Sequence, residues 1–119
     1  MDGRIFHIKE RLLCNLQRHW TIKEMAQEVG LSVPHFQKLF KTNVGSPPMT
    51  YLQELRLEKA GEFLKETFLQ IQEIRLEVGI SQDSYFTRGF KKKFGISPTQ
   101  FRKNYWEKIQ SEKSDDTIH

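Results

Sequence analysis

Cys14 is the only cysteine among 119 residues, so no internal disulfide can form and nothing points to an oxidising compartment. No run of about 18 apolar residues exists to cross a membrane. The N-terminus carries neither the apolar core nor the small-residue cleavage site of a signal peptide, and a cytoplasmic protein is the expectation. Glycine-rich phosphate loops are missing, as is any pair of carboxylates set for acid–base work. His7, His19, His35, His119 and Cys14 have no spacing that collects four ligands, which argues against zinc. Cys14 lies in a helical apolar pattern without basic neighbours on both sides, so it reads as a buried structural thiol rather than a nucleophile. At this length there is no room for a large catalytic domain. The expectation is no enzyme, no metal and no cofactor.

Acid is scarce in a patterned way. The chain has 15 Asp and Glu against 19 Lys and Arg, yet residues 29–53 and 84–106 contain no acid at all. The first window carries Lys38 and Lys41; the second carries Arg88, Lys91, Lys92, Lys93, Arg102 and Lys103. The net charge of +4 and the pI near 9.3 suit an acidic partner such as nucleic acid, though a charge this small only suggests one. A lysine run alone is an ordinary solvated face. Two acid-free windows that coincide with a repeat say more.

The repeat is the chain's strongest feature. Residues 22–51 recur as residues 71–101, and Glu24, Val29, Gly30, Phe36, Phe40, Lys41, Gly45 and Pro48 return as Glu73, Val78, Gly79, Phe86, Phe90, Lys91, Gly95 and Pro98. The offset of 49 residues becomes 50 by the aligned phenylalanines. A short helix, a glycine turn and a second helix, written twice, propose a tandem helix-turn-helix protein.

Periodicity predicts seven helices and no strands. Ile5, Ile8, Leu12, Leu16 and Trp20 recur at three and four residues and predict a first helix over 4–19. Thr21 and Glu24 form a capping box for a second helix that stops at Gly30. Ser32 caps a third helix with Pro34 in its first turn, running to Thr42. Pro47 and Pro48 open a fourth over 48–66, helices five and six follow over 71–78 and 82–93, and Pro98 opens a last one ending near Lys108. The organisation expected is a first helix-turn-helix unit over 1–47, a linking helix over 48–67, a second unit over 68–108, and a disordered tail over 109–119.

Rotation by 100° per residue separates the faces of the second helix of each unit. Phe36, Leu39 and Phe40 point inward from helix three, leaving Pro34, His35, Lys38 and Lys41 outside and Gln37 on the flank. Phe86, Phe90 and Phe94 point inward from helix six, leaving Ser84, Tyr85, Arg88, Lys91 and Lys92 outside and Thr87 on the flank. Arg and Lys can donate to guanine, Gln can pair with adenine, and Tyr and Thr can touch a thymine methyl. Lys41, Lys91 and Lys92, with Ser32, His35 and Arg102 nearby, are candidates for phosphate or flanking contacts. Any surface helix has a polar outer face; here a glycine turn presents one twice. The linking helix, at 19 residues, is roughly 28 Å long, against about 34 Å between successive major-groove faces. One monomeric chain could then span two turns of DNA.

The closing pattern EVGISQDSYFTRGFKKKFGISPTQFR, the preceding RLEKAGEFL and the first unit's MAQEVGLSVPHFQKLFK closely resemble the DNA-binding domain of the AraC/XylS family of bacterial transcription regulators. The resemblance covers roughly residues 5–106. It implies an all-α fold of two helix-turn-helix units joined by a central helix, with the third and sixth helices in adjacent major grooves. Carried over by motif position, it implies Pro34, Gln37 and Lys38 in one unit, and Ser84, Tyr85, Thr87 and Arg88 in the other, as base readers. It also implies a regulator acting near promoters, commonly an activator that contacts RNA polymerase. Many members add an N-terminal ligand-binding or phosphorylation-receiving domain, which these 119 residues do not include.

Two positions depart from the family pattern. Gln70 stands where a Ser, Thr or Asp cap is usual, and Arg75 stands where the first unit has Ala26. The expectation for Arg75 is a side chain that lays its stem on apolar surface and sends its guanidinium to water or phosphate, the alternative being a contact with DNA or with a carboxylate such as Asp83. A helical protein-interaction module with weak or no DNA binding is the alternative reading.

Overall fold

The computed structural model describes residues 1–118, with side-chain surroundings through Lys113. Seven helices follow one another: α1 Gly3–Cys14, α2 Ile22–Glu28, α3 Val33–Val44, α4 Pro48–Glu66, α5 Ile71–Glu77, α6 Asp83–Phe94 and α7 Pro98–Ile118. The fold is all-α, and no strand occurs among the described residues. The chain divides into two compact units, Met1–Arg56 and Leu57–His119, so the boundary falls inside α4. The sequence had set α4 apart as a linker. Its residues instead serve both cores: Leu52 joins the first, while Leu57, Ala60 and Leu64 join the second.

In unit 1 the periodic stripe Ile5, Ile8, Leu12, Leu16 and Trp20 is buried, together with Met25, Ala26, Phe36 and Phe40. The stripe outlasts its helix, because α1 ends at Cys14 and not near residue 19. The amide of Asn15 donates to the Leu12 carbonyl, and its side chain turns back to the Arg11 carbonyl at 2.8 Å. Trp20 then donates to the Asn15 carbonyl at 3.0 Å, while the Arg56 guanidinium reaches the carbonyls of Leu16 and Arg18 at 3.2 and 2.9 Å. Tertiary donors replace the helical bonds that residues 15–19 give up. Cys14, expected in the core, is exposed; it lies two residues beyond Leu12, about 200° round the helix from the buried stripe.

In unit 2 the core is Ile74, Val78, Ile80, Phe86 and Phe90 with the second half of α4. Phe90 meets Phe94 and Phe101 with ring centroids 4.4 and 5.3 Å apart. Gly61 lies beneath this cluster, where a Cβ would come within 3.2 Å of the Phe94 ring. The segment expected to be a disordered tail continues α7 to Ile118, since residues 109–118 contain no Gly or Pro to stop a helix. His119 lies outside the described residues. No helix among the described residues is long and apolar enough to cross a membrane.

Candidate nucleic-acid interface

Each candidate face is produced by a glycine turn followed by a helix. Gly30 and Gly79 take φ of +70° and +86°, and Gly45 and Gly95, which close α3 and α6, take +94° and +85°. Glycine adopts this left-handed conformation without the strain of a Cβ. The backbone bonds repeat as well: the amide of Leu31 donates to the Ala26 carbonyl at 3.0 Å, and that of Ile80 to the Arg75 carbonyl at 3.1 Å. Phe36 and Phe40, and likewise Phe86 and Phe90, are fully buried and fix the rotation of α3 and α6.

With the phenylalanines inward, the candidate readers are all outside. Ser32, Pro34, His35, Gln37, Lys38 and Lys41 are exposed on or beside α3. Ser84, Tyr85, Thr87, Arg88, Lys91 and Lys92 are exposed on α6. Gln37 and Thr87, placed on the flanks by rotation, are as open as their neighbours. Ser32 is already engaged through its hydroxyl, which accepts from the His35 amide at 3.3 Å. Arg88 Nε donates to the Ser84 carbonyl at a long 3.4 Å. Among the described residues no carboxylate pairs with Lys38, Lys41, Lys91 or Lys92. Lys93, one position on, is instead 3.6 Å from Glu58. The unpaired cations and neutral donors therefore collect on one side of each helix. Such a face can donate to base edges and neutralise phosphates. The three lysines at the end of α6 also suit its negative dipole end.

Arg102 does not join them. Its guanidinium donates to the carbonyls of Leu64, Leu69 and Thr67 at 3.1, 2.7 and 3.1 Å, and burial pulls its pKa below the ordinary value. The last carbonyls of α4 have no helical partners, and Arg102 supplies them from α7. Trp106 assists with a 3.3 Å bond to the Lys65 carbonyl. The acid-free window correctly marked a basic segment but could not separate a cation facing water from one facing a helix end.

A helix-turn-helix domain profile matches residues 25–104, most of the chain and both repeats. The chain belongs to the AraC/XylS family of helix-turn-helix DNA-binding domains. It is 29% identical over 107 residues to the transcriptional regulator MtrA of Neisseria gonorrhoeae, covering 90% of this chain and 36% of that protein. It is 33% identical over 101 residues to the lactose operon transcription activator of Staphylococcus xylosus, covering 85% of this chain and again 36% of the relative. The chain thus spans about a third of the length of these curated relatives. Among solved structures, the DNA-binding domain of the global transcriptional factor AdpA, in complex with a target DNA, superposes with a TM-score of 0.86. That pair shares 20% identity over 90% of this chain and 96% of the other, a likeness of fold.

Within this AraC/XylS domain the second turn differs from the first. Residues 29–32 join α2 to α3, but residues 78–82 join α5 to α6, one residue more. Ser32 caps α3, whereas Gln82, the cap position of α6, makes no side-chain bond, and neither does Gln70 before α5. The absence at Gln70 was legible from its residue type; the one at Gln82 follows from the extra residue, which moves Ser81 off the cap.

Proposed function

We propose that α3 and α6 are the reading helices of a transcription regulator's DNA-binding domain, each entering the major groove of double-stranded promoter DNA in successive turns. Pro34, Gln37 and Lys38 read one half-site; Ser84, Tyr85, Thr87 and Arg88 read the other. Ser32, His35, Lys41, Lys91 and Lys92 hold the flanking backbone. The observation that carries this reading is the pair of exposed faces, free of acid in α3 and beyond Asp83 in α6, each behind a glycine turn. The family supports it, as does the DNA-bound state of AdpA, a protein of like fold. The site is asymmetric and about two helical turns long, and one chain binds it as a monomer. The domain acts in the cytoplasm without catalysis of its own, and contact with RNA polymerase is how the whole regulator would activate transcription.

Selection from a random duplex pool tests this directly. The expected result is a preferred asymmetric sequence bound 1:1 in analytical ultracentrifugation, with affinity falling steeply as salt rises. Lys91→Ala with Lys92→Ala weakens binding to every sequence and flattens the salt slope by about two units. No enrichment and no salt slope would favour a protein-interaction module instead. A 2:1 complex only, on a single site, would overturn the monomeric arrangement.

A further inference from the structure

Arg75 occupies the position of Ala26 in the repeat, where Ala26 is buried against the neighbouring helix. Its guanidinium is neither released to solvent nor paired with a carboxylate. Nη1 donates to two successive carbonyls of the α5–α6 turn, Ile80 at 2.8 Å and Ser81 at 2.7 Å. Nε and Nη2 both donate to Gln72 Oε1, at 2.9 and 2.7 Å. The planar fork of an arginine allows both sets at once, which an ammonium could not match. The snorkelling expectation therefore fails, because the turn offers acceptors closer than water.

We infer that Arg75 is a positioning residue for the reading helix α6, clasping the longer turn that leads into it. Two linked departures of unit 2 meet here. The turn is one residue longer than in unit 1, and Gln82 leaves the start of α6 without a side-chain cap. Both loosen the entry to α6, and the residues clasped by Arg75 are those just before the uncapped position. Unit 1 has neither weakness and needs only an alanine. This role for Arg75 presupposes that α6 is a reading helix: a helix that must present Ser84, Tyr85, Thr87 and Arg88 to base edges has to enter at one angle, and Arg75 sets that entry without touching DNA.

Amide exchange of the free protein and binding by selected duplexes, measured on Arg75→Ala, Arg75→Lys and Gln72→Ala, test this separately. In Arg75→Ala the amides of Ile80 and Phe86 should exchange at least tenfold faster, with those of Leu31 and Phe36 unchanged. Affinity for the preferred duplex should fall about tenfold, the worth of one mismatched base pair, with the lost preference confined to the half-site read by α6. Gln72→Ala, which leaves both carbonyl bonds in place, should show a smaller loss of the same pattern, and Arg75→Lys should rescue only part. Equal losses on preferred and random duplexes, with a salt slope reduced by about one, would make Arg75 a phosphate contact and overturn the inference. Unchanged exchange at Ile80 and Phe86 would overturn it too. If Arg75→Ala fails to fold, Gln72→Ala and Arg75→Lys decide by the same two readouts. Absence of duplex binding by the unaltered protein would sink the DNA reading alone, while exchange would still decide whether Arg75 holds the turn.

Discussion

In unit 1 the helices of the turn are closed by short hydroxyl side chains: Thr21 accepts from the Glu24 amide and Ser32 from the His35 amide. Arg11 pairs with Glu28 and Arg18 with both Glu24 and Glu28, Arg18 also lies 3.9 Å over the Trp20 ring, and Arg56 holds the Leu16 and Arg18 carbonyls. In unit 2 the equivalent caps are Gln70 and Gln82, which close nothing. Its arginines, Arg75 and Arg102, hold backbone carbonyls. Both copies thus set arginines on backbone carbonyls, Arg56 in unit 1 and Arg75 and Arg102 in unit 2, but among the described residues only unit 1 adds hydroxyl caps and arginine–carboxylate pairs around its turn. The repeat keeps the geometry of its second helix, not the means of holding it.

The comparison breaks most severely at Arg102. Arg102→Ala strips three carbonyls of a charged donor and should cost unit 2 about 3 kcal/mol. Each unit holds one of the two tryptophans, so urea unfolding followed in single-tryptophan variants separates them: the Trp106 transition should move and the Trp20 transition should not. An unmoved Trp106 midpoint would refute the staple. Next comes Arg88→Ala, expected to cost about 2 kcal/mol on the preferred duplex and to relax choice at one position, with little loss on random DNA. Lys38→Ala should do the same in the other half-site. Competition assays with single-position duplex variants read both, and equal losses on cognate and random DNA would reduce these residues to backbone contacts.

Caps give a smaller and opposite pair of effects. Ser32→Ala should destabilise unit 1 by about 1 kcal/mol, while Gln70→Thr, which rebuilds a capping box with Glu73, should stabilise unit 2 by about 0.5 to 1 kcal/mol. Thermal melts of the single-tryptophan variants check the signs; a destabilising Gln70→Thr would show that the glutamine has a role the cap comparison misses. The smallest effect is in pH. The Arg11 side chain, then Arg18, hold the Glu28 carboxylate below its ordinary value of 4.5. A depressed carboxylate contributes stability that is complete above the unfolded value and lost as pH falls through the folded one. Unit 1 should therefore weaken below about pH 4.5, and Glu28→Gln should remove that part of the dependence. Melts between pH 6 and pH 3, on the order of one unit apart, would contradict this if the substitution left the slope intact.

Much of this was legible in the residues. The repeat announced itself through matched glycines and phenylalanines, and the start of α4 followed from Pro47 and Pro48. Facing followed from periodicity, so Pro34, His35, Lys38, Lys41, Ser84, Tyr85, Arg88, Lys91 and Lys92 were placed outward, while Gln37 and Thr87, read as flanking, are exposed as well. What escaped has a common cause. The early end of α1, the anchoring of Arg102 and the clasp of Arg75 all depend on long side chains finding carbonyls that are remote in sequence or hidden in a turn. Such bonds leave no periodic trace. Cys14 was a different error, an apolar residue type read as buried although its rotation placed it outside.

The capping of α4 by α7 also imposes an order on synthesis. Everything that closes unit 1, through the Arg56 bonds to Leu16 and Arg18, precedes α5 in the chain and leaves the ribosome ahead of it. Unit 2 cannot satisfy the end of α4 until Arg102 and Trp106 emerge. The nascent chain should acquire its first half as a protease-resistant body while the second is still open, since chains fold N-terminal segments first as they appear. Stalled chains of increasing length would show protection of residues 1–56 ahead of 57–110, and simultaneous protection would contradict that order.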